Sequence, residues 1–166
     1  MRLIDGRKIS QRIFRRLAKQ VAGLSLAAKP CLAVVLVGTD PASHLYVRIK
    51  ERRAKEIGIG FRKYILPGKV KQSELIKLIE RLNKDKRVTA ILVQLPLPRH
   101  LKSDEIIARI EPNKDADGIH PVHLTRLAEG KKPLVLPATT GAIVEALKAT
   151  KVDLKNKSVA IIGKSK

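Results

Sequence analysis

The sequence ILVQLPLP, at residues 91–98, decides how the rest of the chain is interpreted. It begins as a run of Ile, Leu and Val, which is typical of a buried β-strand. The run ends at the side-chain amide of Gln94, and Pro96 and Pro98 then exclude both a helix and further strand pairing. Because α/β sheets bind ligands at the carboxyl ends of their strands, the sequence predicts that Gln94 meets a ligand.

Apolar runs and amphipathic segments alternate before and after this strand, which we place at 88–95. The apolar pattern predicts two further strands, at 31–38 and 60–66. Helices are predicted at 6–22, at 43–57, from Ser73 onwards and at 103–110. This alternation is typical of an α/β fold with a mostly parallel sheet and helical crossovers.

The pattern loosens after Pro112. We predict a loop at 113–121, a helical turn at 122–129, an extended segment at 134–141 and a helix at 140–149. A last strand at 155–166 ends in Gly163, and a strand that runs into Gly-x-Ser is how a nucleotide-binding unit begins. A strand with no helix after it must pair with an existing sheet or remain an exposed edge. We therefore expect the chain to be truncated just inside a second domain.

The composition is that of a soluble globular protein, since 44% of the 166 residues are hydrophobic and 30% are charged. No apolar run approaches the roughly 20 residues that span a bilayer, and the N-terminus lacks the apolar core of a signal peptide. Cys31 is the single cysteine, so the sequence allows no intrachain disulfide. A cytoplasmic location is the default expectation.

The net charge of +20 attracts polyanions, which makes nucleic acid and an anionic small molecule candidate partners. However, the basic residues are spread along every predicted helix instead of forming one block. Two tyrosines and two phenylalanines are too few to form a stacking platform for single-stranded bases. The sequence also lacks zinc-ligand spacing and an RNP motif, so it does not favour nucleic acid as a specific partner.

Tyr46 and Lys50 are four residues apart in the predicted helix 43–57 and therefore share one of its faces, with Ser43 one turn earlier. Burial disfavours the charged form of a lysine, which would let Lys50 act as a general acid or base. The alternative is a surface lysine whose stem passes a core tyrosine, and spacing alone favours that alternative. Short-chain dehydrogenases share the Tyr-x-x-x-Lys spacing, but there it follows a Gly-rich nucleotide-binding half that does not precede residue 46 here.

Asp115 and Asp117 lie in the loop KDADGIH. Alternating carboxylates before a glycine are found in calcium loops, but the other oxygen ligands and the closing Glu are missing from this sequence. Asp117 and Gly118 also form an ordinary turn sequence. A carboxylate can instead accept two hydrogen bonds from the adjacent N–H groups of an amino-pyrimidine. His120 and His123 lack a third ligand, so we predict no metal site.

Five stretches of the sequence together resemble one family, the bifunctional methylenetetrahydrofolate dehydrogenase/methenyltetrahydrofolate cyclohydrolases. They are PASHLYVRIK (41–50), ILVQLPLPRHL (91–101), PNKDADGIHPVHLTRL (112–127), LPATTG (136–141) and VAIIGKS (159–165). The resemblance spans all 166 residues. It implies a two-domain α/β enzyme with folate in the cleft between a catalytic domain, here 1–138, and an NADP-binding Rossmann domain. Residues 139–166 would then be the connecting helix and first strand of that second domain.

The resemblance also implies an activity. The full enzyme would oxidise methylene-tetrahydrofolate with NADP and hydrolyse the methenyl product to formyl-tetrahydrofolate, a supply for purine biosynthesis. It implies a homodimer for the full-length protein, and the 166 residues are expected to lack most of the cofactor domain. The alternative, based on charge, is a non-catalytic basic fragment that binds nucleic acid or another polyanion.

Four residues match the family's catalytic positions. Lys50 matches the catalytic lysine, and Tyr46 matches the tyrosine that packs over the aminobenzoate ring of folate. Gln94 matches the glutamine that holds the lysine and contacts the reacting centre, and we expect it to favour the neutral form of Lys50. Asp117 matches the aspartate that grips the pterin.

Further matches concern binding. Val93 and Leu95 match substrate-contacting backbone, and Gly163, Lys164 and Ser165 fall at the first NADP phosphate contacts. The chain departs from the family pattern at five positions: Lys164 replaces Arg, Ala138 and Thr140 replace Cys and Pro, and His123 and Thr125 replace Asn and Gly.

Overall fold

A computed structural model describes residues 4–153, 155–158, 160 and 162. It contains three strands, β1 to β3, at Cys31–Val37, Gly60–Leu66 and Ala90–Val93. Its α-helices, α1 to α6, lie at Gly6–Ala22, Pro41–Glu56, Gln72–Lys84, Ser103–Ile107, Pro121–Ala128 and Ala138–Thr150. Short 3-10 turns lie at Leu26–Ala28 and Pro112–Lys114. Within the described residues, none of the helices combines the length and the apolar character that crossing a membrane requires.

The three strands form one parallel sheet, as the sequence predicted, and their order in it is β2-β1-β3. Val35 of β1 pairs with Tyr64 of β2 and with Val93 of β3. Parallel neighbours need crossover connections, which α2 and α3 supply. The carboxyl ends of β1 and β3 therefore lie at the same edge of the sheet.

The core lies on both faces of this sheet, because successive residues of a strand point to opposite sides. On one face, Val35 of β1 packs in a cluster with Leu75 and Ile79 of α3. On the other face, Leu36 of β1 packs with Val47 of α2. The helix α2 thus packs on the sheet through its buried face, which contains Val47, and its remaining faces are available for other contacts.

The loop that follows α4 is tied to the end of α3. Lys114 donates hydrogen bonds to the carbonyl oxygens of Leu82, Asn83 and Asp85, at 3.3, 2.5 and 3.2 Å. Carbonyls at a helix C-terminus lack partners within the helix and attract a cation. Lys114 therefore caps α3 and fixes the start of the KDADGIH loop.

Several boundaries differ from the sequence prediction. The third strand ends at Val93, two residues early, and the peptide bond between Leu95 and Pro96 is cis. The helix predicted at 103–110 ends at Ile107, and the predicted extended segment 134–141 gives way to α6 at Ala138. The described residues of the predicted strand 155–166 are turn or irregular, and the rest of that strand lies outside the described residues.

Candidate active site

Gln94 lies directly after β3, with only 8% of its surface exposed. Its backbone N–H continues the sheet by donating to the carbonyl oxygen of Val35, at 2.8 Å. Its side-chain Nε2 donates to the carbonyl oxygen of Leu95 at 2.6 Å, which fixes the amide plane. The Oε1 atom is left to accept from another group.

That group is Lys50, whose Nζ donates to Gln94 Oε1 at 2.9 Å. This bond joins α2 to the end of β3 across 44 residues of sequence. Lys50 is thus directed to the sheet edge and is not a free surface lysine.

The N-terminal half of α2 sets the direction of this helix. Asp40 accepts the backbone N–H of Ser43 at 2.8 Å, and Pro41 occupies the first turn, which is favourable at this position. Ser43 and Val47 are buried, whereas Tyr46 is 58% exposed. Tyr46 therefore presents its ring to solvent one turn before Lys50, and such a ring can pack against a flat ligand.

Asp117 completes the group of candidate residues that the fold brings together. Burial raises the pKa of its carboxyl, the positive charge of Lys50 opposes this, and the carboxylate of Asp115 adds to it. Lys50 is therefore close enough to Asp117 to act on it electrostatically. The arrangement combines a lysine held by an amide with a partly buried carboxyl, which suits proton transfer beside a ligand that offers N–H groups.

The backbone around Asp117 packs tightly against the segment before α6. Gly118 has a φ of +69°, and a β-carbon there would lie 2.5 Å from the carbonyl carbon and oxygen of Leu136. The carbonyl oxygen of Asp117 accepts the N–H of Ala138 at 3.1 Å. Only glycine fits at position 118.

The remaining predicted site residues are placed as follows. The Val93 side chain lies in the core, so only its backbone can meet a ligand, whereas Leu95 is partly exposed. Gly163, Lys164 and Ser165 lie outside the described residues.

His120 and His123 both make hydrogen bonds within the fold. His120 Nδ1 accepts the N–H of Val122 at 3.1 Å and so caps α5, and His123 Nε2 donates to the carbonyl oxygen of Pro112 at 2.8 Å. His123, which stands where the family usually has Asn, is completely buried. No group of three His, Cys, Asp or Glu side chains that could hold a metal ion occurs among the residues that the structure describes.

Comparison with known proteins identifies the family. Residues 4–117 match the model of the tetrahydrofolate dehydrogenase/cyclohydrolase catalytic domain. The chain belongs to this family. It is 44% identical over 165 residues to the bifunctional protein FolD of Geotalea daltonii, and 45% identical to that of Neisseria gonorrhoeae. These matches cover 99% and 98% of the chain but only 59% and 58% of the relatives' own length.

Solved structures of FolD enzymes share the fold. The bifunctional enzyme from Campylobacter jejuni superimposes with a TM-score of 0.90 at 41% identity, over 93% of this chain and 55% of that chain. The Trypanosoma brucei enzyme, which was solved with NADP cofactor and an inhibitor, gives 0.85 at 32% identity, over 92% and 53%. The family and the α/β fold inferred from the sequence are confirmed.

Proposed function

We propose that this chain is the folate-binding catalytic part of a methylenetetrahydrofolate dehydrogenase/methenyltetrahydrofolate cyclohydrolase. The observation that carries the proposal is the 2.9 Å bond between Lys50 and Gln94 at the carboxyl edge of the sheet, with Asp117 in electrostatic range of the lysine. A lysine that served only as a solvated surface charge would not bond to a buried amide after β3. Family membership supplies the reaction class.

Each residue has a proposed role. The exposed Tyr46 ring packs over the aminobenzoate ring, and the Asp117 carboxylate accepts the N–H groups of the pterin. Backbone groups of Val93 and Leu95 contact the ligand beside Gln94. Gln94 orients Lys50 through its Oε1 atom.

Lys50 carries the proton transfer in the hydrolytic step. Water adds to the methenyl carbon and loses one proton to Lys50 Nζ. The hydroxyl group of this intermediate then loses its proton as the formyl carbonyl forms and one carbon–nitrogen bond breaks. The released nitrogen takes up one proton, so that hydrolysis to formyl-tetrahydrofolate releases one proton overall. Bound NADP would supply the hydride acceptor for the preceding oxidation of methylene-tetrahydrofolate.

The remaining parts of the proposal concern the whole protein. Residues 1–138 form the folate-binding domain and 139–166 begin the NADP-binding Rossmann domain, with Gly163, Lys164 and Ser165 at its phosphates. The full-length protein is a cytoplasmic homodimer whose product serves purine biosynthesis. The division into two domains is supported by the length of the relatives, since the present chain covers 59% of the FolD protein of Geotalea daltonii.

Folate binding is the direct test of this function. Folinate, a stable reduced folate, is expected to bind the chain in a calorimetric titration. Asp117→Ala should weaken it at least about tenfold, because the pterin N–H groups lose a charged acceptor. Asp104→Ala, which alters an exposed carboxylate of α4, is the matched control and should bind normally. Equal affinities for both variants would contradict the role of Asp117.

Folinate binding should also depend on pH. It is expected to strengthen as the pH rises through the raised pKa of Asp117, because the carboxylate accepts hydrogen bonds that the protonated acid does not. The stability of the ligand-free chain should change with pH in the opposite direction. The raised pKa of Asp117 stabilises the fold at low pH, and this contribution is lost as the pH rises through the folded-state pKa. For Asp117→Asn, the folinate affinity should not vary as the pH passes through the pKa of Asp117. If the affinity of this variant still varies with pH as in the original chain, another group is responsible for the pH dependence.

The charge of the chain favours a second candidate, polyanion binding. Every charged residue of α1 is basic and exposed: Arg7, Lys8, Arg12, Arg15, Arg16 and Lys19. Yet three of the four aromatic rings are engaged: Arg53 lies 5.1 Å over Phe14, and Phe61 and Tyr64 pack against the core. Salt-dependent retention on DNA, combined with failure to bind folinate, would favour this candidate.

A further inference from the structure

Asp115 is a buried carboxylate for which the proposed reaction has no use. It is 2% exposed, and both of its oxygen atoms accept backbone N–H groups of its own loop. Asp117 N–H donates to Oδ1 at 3.1 Å, and His120 N–H donates to Oδ2 at 2.7 Å. One side chain therefore closes the loop from 115 to 120, in the manner of an extended Asx turn.

The loop is also anchored to the sheet. Asp115 forms an isolated parallel bridge with Ile91 of β3, and the N–H of Ala116 donates to the carbonyl oxygen of Ile91 at 3.0 Å. Asp115 is thus fixed by the same strand that leads to Gln94. Both Asp117 and Gln94 are therefore held in place relative to β3.

Both backbone polar groups of Asp117 are hydrogen-bonded. Its N–H is bound by Asp115, and its carbonyl oxygen is bound by the N–H of Ala138. With both backbone groups engaged, the carboxylate of Asp117 is the part of this residue that is left for a ligand. Fixing a binding group before the ligand arrives reduces the entropy that binding must overcome.

The other end of the loop leads directly into α5. His120 gives its N–H to Asp115 and caps α5 with its ring, so one residue joins the loop to the helix. His123 Nε2 lies 4.0 Å from Asp115 Oδ2. The oxygens of Asp115 are thus directed to the protein interior, so this carboxylate does not bind a ligand itself.

We propose that Asp115 is a positioning residue for folate binding: by accepting the N–H groups of Asp117 and His120, it holds the Asp117 carboxylate in place beside the Lys50–Gln94 pair. This inference rests on the proposed function, because it assumes that Asp117 binds the pterin. The like charge of Asp115 also raises the pKa of Asp117, an effect that burial exceeds. In this arrangement Asp115 acts on the ligand through Asp117, whose backbone N–H it accepts.

A double-mutant cycle with folinate binding as its readout tests this. Asparagine at position 115 keeps the size of the side chain but turns one acceptor into a donor that faces an N–H group. Asp115→Asn is expected to weaken folinate binding about tenfold, the loss of roughly one buried hydrogen bond. In the Asp117→Asn background the same change should weaken binding less than about twofold, because coupled residues are not additive. Asp104→Asn is the control.

The outcomes separate the two claims. Weaker binding for Asp117→Asn with no change for Asp115→Asn would overturn the positioning role and leave the proposed function intact. No change for either variant would remove the proposed function as well. Equal losses in both backgrounds would show that Asp115 acts independently of Asp117, which also overturns the inference.

Amide hydrogen exchange tests the inference without a substitution. In the unchanged, ligand-free chain, the N–H groups of Asp117 and His120 should exchange slowly, because Asp115 already holds them. Fast exchange that slows only when folinate is added would show that the ligand, and not Asp115, orders the loop.

Discussion

Replacing Lys50 with methionine is expected to abolish cyclohydrolase turnover, with a loss of at least about a hundredfold, the usual contribution of a positioned acid or base. Methionine keeps much of the length and apolar character of the lysine stem but cannot donate to Gln94 Oε1 or move a proton. The hydrolysis of methenyl-tetrahydrofolate should be followed in a version that spans the full length of the curated relatives. Circular dichroism and thermal unfolding should show that the fold is retained.

A lysine on the same helix provides the control. Lys55 lies five residues after Lys50, is exposed and pairs with Glu51 at 2.9 Å, a contact of little energetic weight. Lys55→Met should leave turnover within about twofold of the original, since surface substitutions have small effects. Full turnover in Lys50→Met would contradict the assigned proton transfer, and equal losses in both variants would point to a general effect of charge.

Gly118→Ala is expected to lower the free energy of unfolding by about 3 kcal/mol or more. Part of this is the penalty of about 1–2 kcal/mol for a side chain at positive φ. The rest arises because a β-carbon would lie 2.5 Å from the carbonyl carbon and oxygen of Leu136. These are backbone atoms, which cannot move aside as the end of a flexible side chain could. Urea unfolding measures the change. Folinate binding should fall with it, because Asp117 is the preceding residue.

Gly130 offers a matched control with the same φ of +69°. Nothing lies within 4 Å of a β-carbon at Gly130, so Gly130→Ala carries the conformational penalty without the clash. The difference between the two variants therefore isolates the contact with Leu136. If both variants lose the same free energy of unfolding, the loop does not pack against Leu136 as described.

The sheet could be predicted from the sequence because its signals are local. Runs of Ile, Leu and Val with glycines and prolines at their ends predicted three strands, and the intervening amphipathic segments predicted parallel order. The strand end near Gln94 was predicted from Pro96 and Pro98, although β3 itself ends at Val93. The boundaries differ from the prediction because the ends of helices and strands fray and are weakly determined by the local pattern.

The contacts of the site could not be predicted from local signals. Tyr46 and Lys50 share a helical face, but spacing alone favoured a surface lysine, since the partner Gln94 lies 44 residues away. Composition and spacing do not distinguish the two carboxylates of KDADGIH, and it was the family resemblance that selected Asp117. Only the fold shows that Asp115 turns inward to its own backbone and that Asp117 remains available.

Lys50, Gln94 and Asp117 are proposed to form a folate site at the carboxyl edge of the sheet. A crystal structure of the chain with bound folinate would show whether folate occupies this site. We expect the pterin N–H groups at hydrogen-bonding distance from the Asp117 carboxylate, the aminobenzoate ring against Tyr46, and Lys50 still bonded to Gln94. Folinate bound elsewhere, such as along the basic face of α1, with Asp117 and Tyr46 free of contact, would contradict it.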